Sequence, residues 1–332
     1  MTRFQAAEGT LGTQRVVQLE DAVAGRRVRI ACFGAVLTSL VAREAGGWHD
    51  YADGYRNAAE IAARKGSRFA VMVPFGGRIQ DARYTFDGTA YDLAPGVTGE
   101  ARAVRHGFVR DALFAVTDLV ADADGARVTL ATQAIRPRPG YPHAIDLAVS
   151  FALEASGLAL DVAMRNVGTQ PAPCFFGWHP YFRVTDGVVD EWELQIPAHG
   201  LIRTGADLLP LAGAQAQVAA DDAPALDFRV AQVIGNRILD QGYAELDADA
   251  DGRIRTHLRD PVGGRAIAVW QERGLMHAFT GDTISRDPRR AIALEPMECM
   301  ADAFNRPEWA AAIRLEPGAT RHFRCGVEIL TA

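Results

Sequence analysis

The sequence is poor in cysteine. Its 332 residues include Cys32, Cys174, Cys299 and Cys325, widely scattered and without a Cys-x-x-Cys pair. That spacing argues against a zinc cluster or a disulfide framework and predicts reduced, mostly buried thiols. No apolar run reaches the roughly 18 residues needed to cross a bilayer, and Met1 to Leu19 carries no apolar core followed by a small-residue cleavage site. The expectation is a cytoplasmic protein. There is no Gly-x-x-x-x-Gly-Lys-Ser/Thr loop, no Gly-x-Gly-x-x-Gly fingerprint and no Gly-x-Ser-x-Gly elbow, so nucleotide and esterase chemistry lose their usual supports. None of the eight histidines stands in a His-x-His, His-x-Asp/Glu or His-Glu-x-x-His arrangement. A metal site would have to be assembled from remote residues, and no cofactor or metal is expected. A large excess of one charge is also missing: 35 basic and 41 acidic residues are interspersed, for a net charge of −6. Neither nucleic acid nor an anionic membrane is the expected partner.

What is present is the pattern of a β-protein. Ile145, Leu147, Val149, Phe151 and Leu153 alternate with small or polar residues. After Glu154-Ala155-Ser156-Gly157 the alternation resumes with Leu158, Leu160, Val162 and Met164, which predicts an antiparallel hairpin with one buried face. Turn signals recur at Asp87-Gly88, Asp124-Gly125, Asp251-Gly252 and Gly263-Gly264, each between runs rich in Val, Ile, Thr or aromatics. Helical patterning is confined to Asn57–Lys65 and a turn around Pro307–Ala312, and residues 205–224 read as a long irregular excursion. Hydrophobic residues make up 48% and charged residues 23%, which is enough apolar material for a large core. The predicted fold class is all-β, a large antiparallel sandwich with few short helices, in a single domain over residues 1–332.

Four segments are unusual for the interior of such a protein: Phe75-Gly76-Gly77-Arg78-Ile79, Arg105-His106-Gly107-Phe108-Val109-Arg110-Asp111, Phe176-Gly177-Trp178-His179-Pro180-Tyr181-Phe182, and Ala293-Leu294-Glu295-Pro296-Met297. The first three set nitrogen-bearing side chains among glycines and aromatics. The fourth ends an apolar run with a carboxylate, whose pKa partial desolvation would raise towards that of a general base. Taken singly, each has a structural alternative: Arg78 paired with a buried acid, His106 or His179 a hydrogen-bonded core histidine, Glu295 a strand-end carboxylate in water. Their joint occurrence favours a site.

In this order the segments resemble the aldose 1-epimerase (galactose mutarotase-like) family, and its bacterial branch most closely. The resemblance runs from Ala35 to Ile329, with Trp-His-Pro-Tyr-Phe and Glu-Pro-Met as its most specific parts. It implies a β-supersandwich that holds a sugar on a concave face without metal or organic cofactor. It also implies roles: Glu295 as the general base at the anomeric hydroxyl, His179 as the general acid at the ring oxygen, and His106, Arg78 and Asp240 as sugar-binding groups. From its apolar face, which a sugar's C–H surface could stack against, Trp178 is given a supporting, substrate-facing part, with core packing the commoner fate of such a residue.

The chain departs from the family pattern at Gly77, where an Asn usually precedes Arg-Ile, and at Arg105, where an apolar residue is common. The sequence therefore leaves three main functions open, with glycoside hydrolysis a weaker fourth because it usually needs two opposed carboxylates, of which Asp240 would have to be the second. One is mutarotation of a free neutral aldose, which it favours. A second is the same reaction on an anionic hexose such as sulfoquinovose or a hexose phosphate, with Arg105, Arg110 or Arg183 pairing with the anion. The third is a non-catalytic sugar-binding module. The expected partner is a small sugar, with monomer and homodimer both open.

Overall fold

The computed structural model describes residues 2–330. The predicted hairpin forms as Ile145–Leu153 and Gly157–Asn166, with Leu153 opposite Leu158 and every second side chain of the first strand buried. It lies within a nine-stranded sheet whose strands, in spatial order, are Ala115–Ala121, Ala126–Ile135, Ile145–Leu153, Gly157–Asn166, Thr320–Leu330, Ala266–Gln271, Ile254–Arg259, Glu193–Gln195 and Gln232–Val233. All pairings in it are antiparallel.

An eight-stranded antiparallel sheet carries Gln217–Ala219, Ala198–Ile202, Asp240–Leu246, Leu275–Phe279, Ile292–Met297, Gly177–His179 and Ala70–Met72, with Tyr181–Phe182 paired to Ile292–Met297 outside that path. The first fifty residues form a five-stranded meander from Phe4–Leu11 to Gly47–Asp50. Buried apolar side chains from Phe4 to Ile329 make one continuous cluster, in which Trp178, Trp192 and Phe151 are almost wholly shielded.

Local signals explain the connections. Asp87-Gly88, Asp124-Gly125 and Gly263-Gly264 each turn between paired neighbouring strands. Asp251-Gly252 does not close a hairpin; it carries the chain from Asp240–Leu246 in one sheet to Ile254–Arg259 in the other. Near residues 57–65 a helix forms at Ala58–Ala63, where the Asn57 side chain accepts the Glu60 amide at 2.9 Å. It ends at Arg64, in the left-handed region with φ 53°, and a 3₁₀ turn, Lys65–Ser67, follows. Pro307 opens a 3₁₀ turn that runs into the short helix Ala310–Ile313. The excursion at 205–224 is irregular except for short 3₁₀ turns and the edge strand Gln217–Ala219. All four cysteines are buried and free, and no helix among the described residues is long and apolar enough to cross a membrane.

Candidate active site

Four neighbouring strands of the eight-stranded sheet each contribute one polar side chain to the same face. Asp240 comes from Asp240–Leu246, His277 from Leu275–Phe279, Glu295 from Ile292–Met297 and His179 from Gly177–His179. Register makes the alignment: His277 lies directly opposite Glu295, Phe279 opposite Asp240, and Gly177 opposite Met297. Because side chains alternate along a strand, residues two apart in these antiparallel pairs share a face. His179, two residues past Gly177, is therefore level with Glu295, and its Nε2 stands 3.3 Å from Glu295 Oε1. Asp240 and His277 are diagonal neighbours, joined by a 2.8 Å hydrogen bond between Oδ1 and Nε2.

These groups line a cavity of about 490 Å³, within the usual size of a small-molecule site. Its second wall is a two-stranded ribbon in which Arg78 pairs with Arg105 and Ile79 with Val104. Immediately after the ribbon, His106 takes a left-handed backbone (φ 59°), its amide bonded to the Gly77 carbonyl at 3.0 Å. A non-glycine residue in that region is strained, and here the bend aims the imidazole at the edge of the His179 ring, centroids 5.3 Å apart. His179 also stacks on Tyr181, centroids 5.1 Å apart and planes inclined by 20°. The buried Arg68 guanidinium in turn covers Tyr181 at 4.8 Å and is paired with Asp53. Gly77 is explained by its own geometry: with φ at +64°, a Cβ would lie 2.6 Å from that of Ala301. Asparagine tolerates the backbone angle but does not fit beside Ala301.

Burial sets the charge states. It pushes the Glu295 carboxyl up to about 8, with the His277 charge opposing and Asp240 adding to the rise. It pushes His179 down to about 3, helped by the charge of His277. His106 is held well below the usual histidine range by burial, then by His179 and the nearby arginines. Burial alone would lower His277, but its bond to Asp240 and the charges of Glu295 and Asp240 outweigh this and raise it. Asp240 is lowered because its bond to His277 and the surrounding cations outweigh burial. The site thus joins Asp240 and His277, whose mutual bond favours the charged form of each, to a Glu295 and His179 pair that burial disposes towards neutrality.

Arg78, His106, His179, Asp240 and Glu295, all singled out in the sequence, line this one cavity. Trp178 does not. It follows Gly177 and precedes His179 on a strand, so alternation turns it to the opposite face, where it is fully buried against Phe69 and Phe182. Of the three arginines considered for an anion, Arg105 lines the cavity. Arg110 is turned to Ser67 Oγ and the Arg105 carbonyl, and Arg183 to the Asp50 carbonyl, with Asp186 3.6 Å away. Sequence reasoning missed His277 and Lys65, which also line the cavity. The signal for His277 was a lone histidine in the apolar run Leu275-Met276-His277-Ala278-Phe279. Among the described residues no three His, Cys, Asp or Glu side chains are grouped as metal ligands.

An antiparallel sheet with a cavity on one face and carboxyl and imidazole groups at its floor defines the class: the architecture is the galactose mutarotase-like fold. The GalM/aldose epimerase homologue of Caenorhabditis elegans has it with a TM-score of 0.82 at 16% identity, over 98% of this chain and 100% of that one. Galactose 1-epimerase of Lactobacillus acidophilus NCFM has it with a TM-score of 0.81 at 15% identity, over 99% of each chain. The model of the aldose 1-epimerase family matches residues 15–328, and the chain belongs to that family. Among curated relatives, the uncharacterized protein YihR of Escherichia coli K12 is 27% identical over 236 residues, 71% of either chain.

Proposed function

We propose that the protein interconverts the α and β anomers of an aldose by acid/base opening and reclosing of its ring, as a mutarotase. The observation that carries this reading is the adjacency of Glu295 and His179, 3.3 Å apart on the floor of the cavity. Ring opening removes a proton from the C1 hydroxyl and adds one to the ring oxygen while the bond from C1 to that oxygen breaks. Both oxygens are borne by C1, so the groups that serve them must be neighbours on rigid elements, and two adjacent strands supply such a mounting.

Glu295 is assigned as base and His179 as acid. With the carboxyl raised to about 8 and the imidazole lowered to about 3, the pair holds one proton between them around neutral pH. The reactive arrangement, carboxylate and imidazolium, differs only by transfer of that proton between the two residues. Rotation about C1–C2 in the open aldehyde presents the other carbonyl face, and reclosure returns both protons. His277, raised by Asp240 and directly opposite Glu295, favours the carboxylate form of the base. Arg78, His106 and Asp240 are assigned to the sugar hydroxyls, with family membership as support.

NMR exchange spectroscopy on a panel of aldoses tests the reading. Exchange between the anomers of at least one sugar should be far faster with protein than without, and should collapse in Glu295→Gln. Exchange at the buffer rate for every sugar would overturn it.

A further inference from the structure

Resting on the mutarotase reading, we infer that the sugar carries an anionic substituent, held by Arg105 and Lys65 where they line the cavity beside Arg78. Arg78 and Arg105 face each other directly across the two-stranded ribbon and both line the cavity. Like charges directly opposite are unfavourable, yet among the described residues neither arginine, nor Lys65, has a carboxylate within ion-pair distance. Asp240, the acid of the cavity that Arg78 feels, is bonded to His277, and Asp207 acts on Arg78 only through space. Lys65 lines the same cavity and is the sole lysine in a chain whose other basic side chains are all arginines.

The two cation-bearing segments are tied together. Arg110 donates to Ser67 Oγ at 2.8 Å and to the Arg105 carbonyl at 3.3 Å, bracketing the Lys65–Ser67 turn against the ribbon. Arg110 is thus a positioning residue, outside the cavity.

The place of the cations says where the anion belongs on the sugar. Arg105, paired with Arg78 on the ribbon, immediately precedes His106, whereas Glu295 lies on the sheet between His277 and His179. The cations are therefore borne by the ribbon and the Lys65–Ser67 turn, and the base by the sheet. With C1 at Glu295 and His179, the anionic group sits on a ring substituent remote from the anomeric centre. Guanidinium and ammonium groups lining one cavity from two segments suit a carboxylate, a phosphate or a sulfonate.

Two measurements decide the matter. In the first, anomer exchange is followed for D-glucuronate, D-glucose 6-phosphate and 6-deoxy-6-sulfo-D-glucose against D-glucose and D-galactose, the three anions being the arms that identify the group. At least one anion should exceed both neutral sugars in kcat/KM. That ratio should fall roughly tenfold to a hundredfold in Arg105→Gln and in Lys65→Gln, as for loss of a charge-assisted hydrogen bond, with Arg105→Lys retaining most of it. In the second, acylation of Lys65 is followed by peptide mass spectrometry, which is unambiguous because no other lysine exists in the chain. The preferred anionic sugar should slow acylation, and glucose at the same concentration should not. A kcat/KM ratio that favours neutral sugars, or one untouched by both Gln variants, overturns the inference, as does acylation indifferent to every anion. If no sugar exchanges its anomers, the mutarotase reading fails, and protection of Lys65 still decides whether the anionic subsite stands.

Discussion

At the scale of single residues, Glu295 and His179 are defined less by what they are than by how little water reaches them. The pair works while it holds one proton between carboxyl and imidazole, so kcat/KM should be level through neutral pH and fall as Glu295 loses that proton to water above about 8. Glu295→Gln should remove that falling limb and lower the maximal rate about 10²–10⁴-fold, and His179→Asn should do similar damage by removing the proton donor. Stability carries the same signature. The folded pKa of Glu295 lies above its ordinary 4.5, so its contribution is fully present below that value and is lost as pH rises through about 8. His179 runs the other way: lowered from 6.5 to about 3, its contribution is present above pH 6.5 and is lost as pH falls through about 3. Urea unfolding at about pH 5 and about pH 9 should show the loss on the alkaline side shrinking in Glu295→Gln. An unchanged difference would count against a buried, raised carboxyl.

At the scale of elements, the site depends on register. Asp240, His277, Glu295 and His179 meet because their four strands are adjacent and each residue falls on the same side of the pleat. A slip of one residue would exchange each of them for a core residue. Trp178 shows the other side of this rule, since its neighbour's place in the cavity commits it to the core. Trp178→Ala should therefore cost about 3–5 kcal/mol of stability through the cavity it leaves, measured by denaturant midpoint. The turn before Arg78 is equally constrained. Gly77→Ala puts a side chain on a left-handed backbone, 2.6 Å from Ala301 Cβ, and should destabilise by about 1–3 kcal/mol. Adding Ala301→Gly should relieve the clash but leave roughly 1–2 kcal/mol of backbone strain. A Gly77→Ala chain as stable as its parent would contradict this account.

At the scale of the whole molecule, the proposed chemistry asks only for two proton transfers, which a carboxyl and an imidazole can perform. Exhaustive treatment with a chelator should leave the rate of anomer exchange unchanged, and loss of activity restored by one specific metal would refute that. Much of this was legible in the residues themselves. The period of two from Ile145 to Met164, the Asp-Gly and Gly-Gly turns and the Asn57 cap are local signals, and local signals determine local structure. The order of the Gly-Arg-Ile, His-Gly-Phe, Trp-His-Pro and Glu-Pro-Met segments pointed to the family and to five residues that do line one cavity. The sequence alone could not say that His277 faces Glu295, since the two are joined by strand pairing rather than by spacing. Nor could it tell that Trp178 and His179 part to opposite faces, because which residue of an alternating pair faces the cavity depends on the neighbouring strands. Lys65, Arg78 and Arg105 come to line one cavity only when a turn and a ribbon are bracketed together by Arg110. Local preference and apolar pattern are written along the chain, whereas burial, charge coupling and pKa arise from what distant segments bring into contact, and only the tertiary structure decides those.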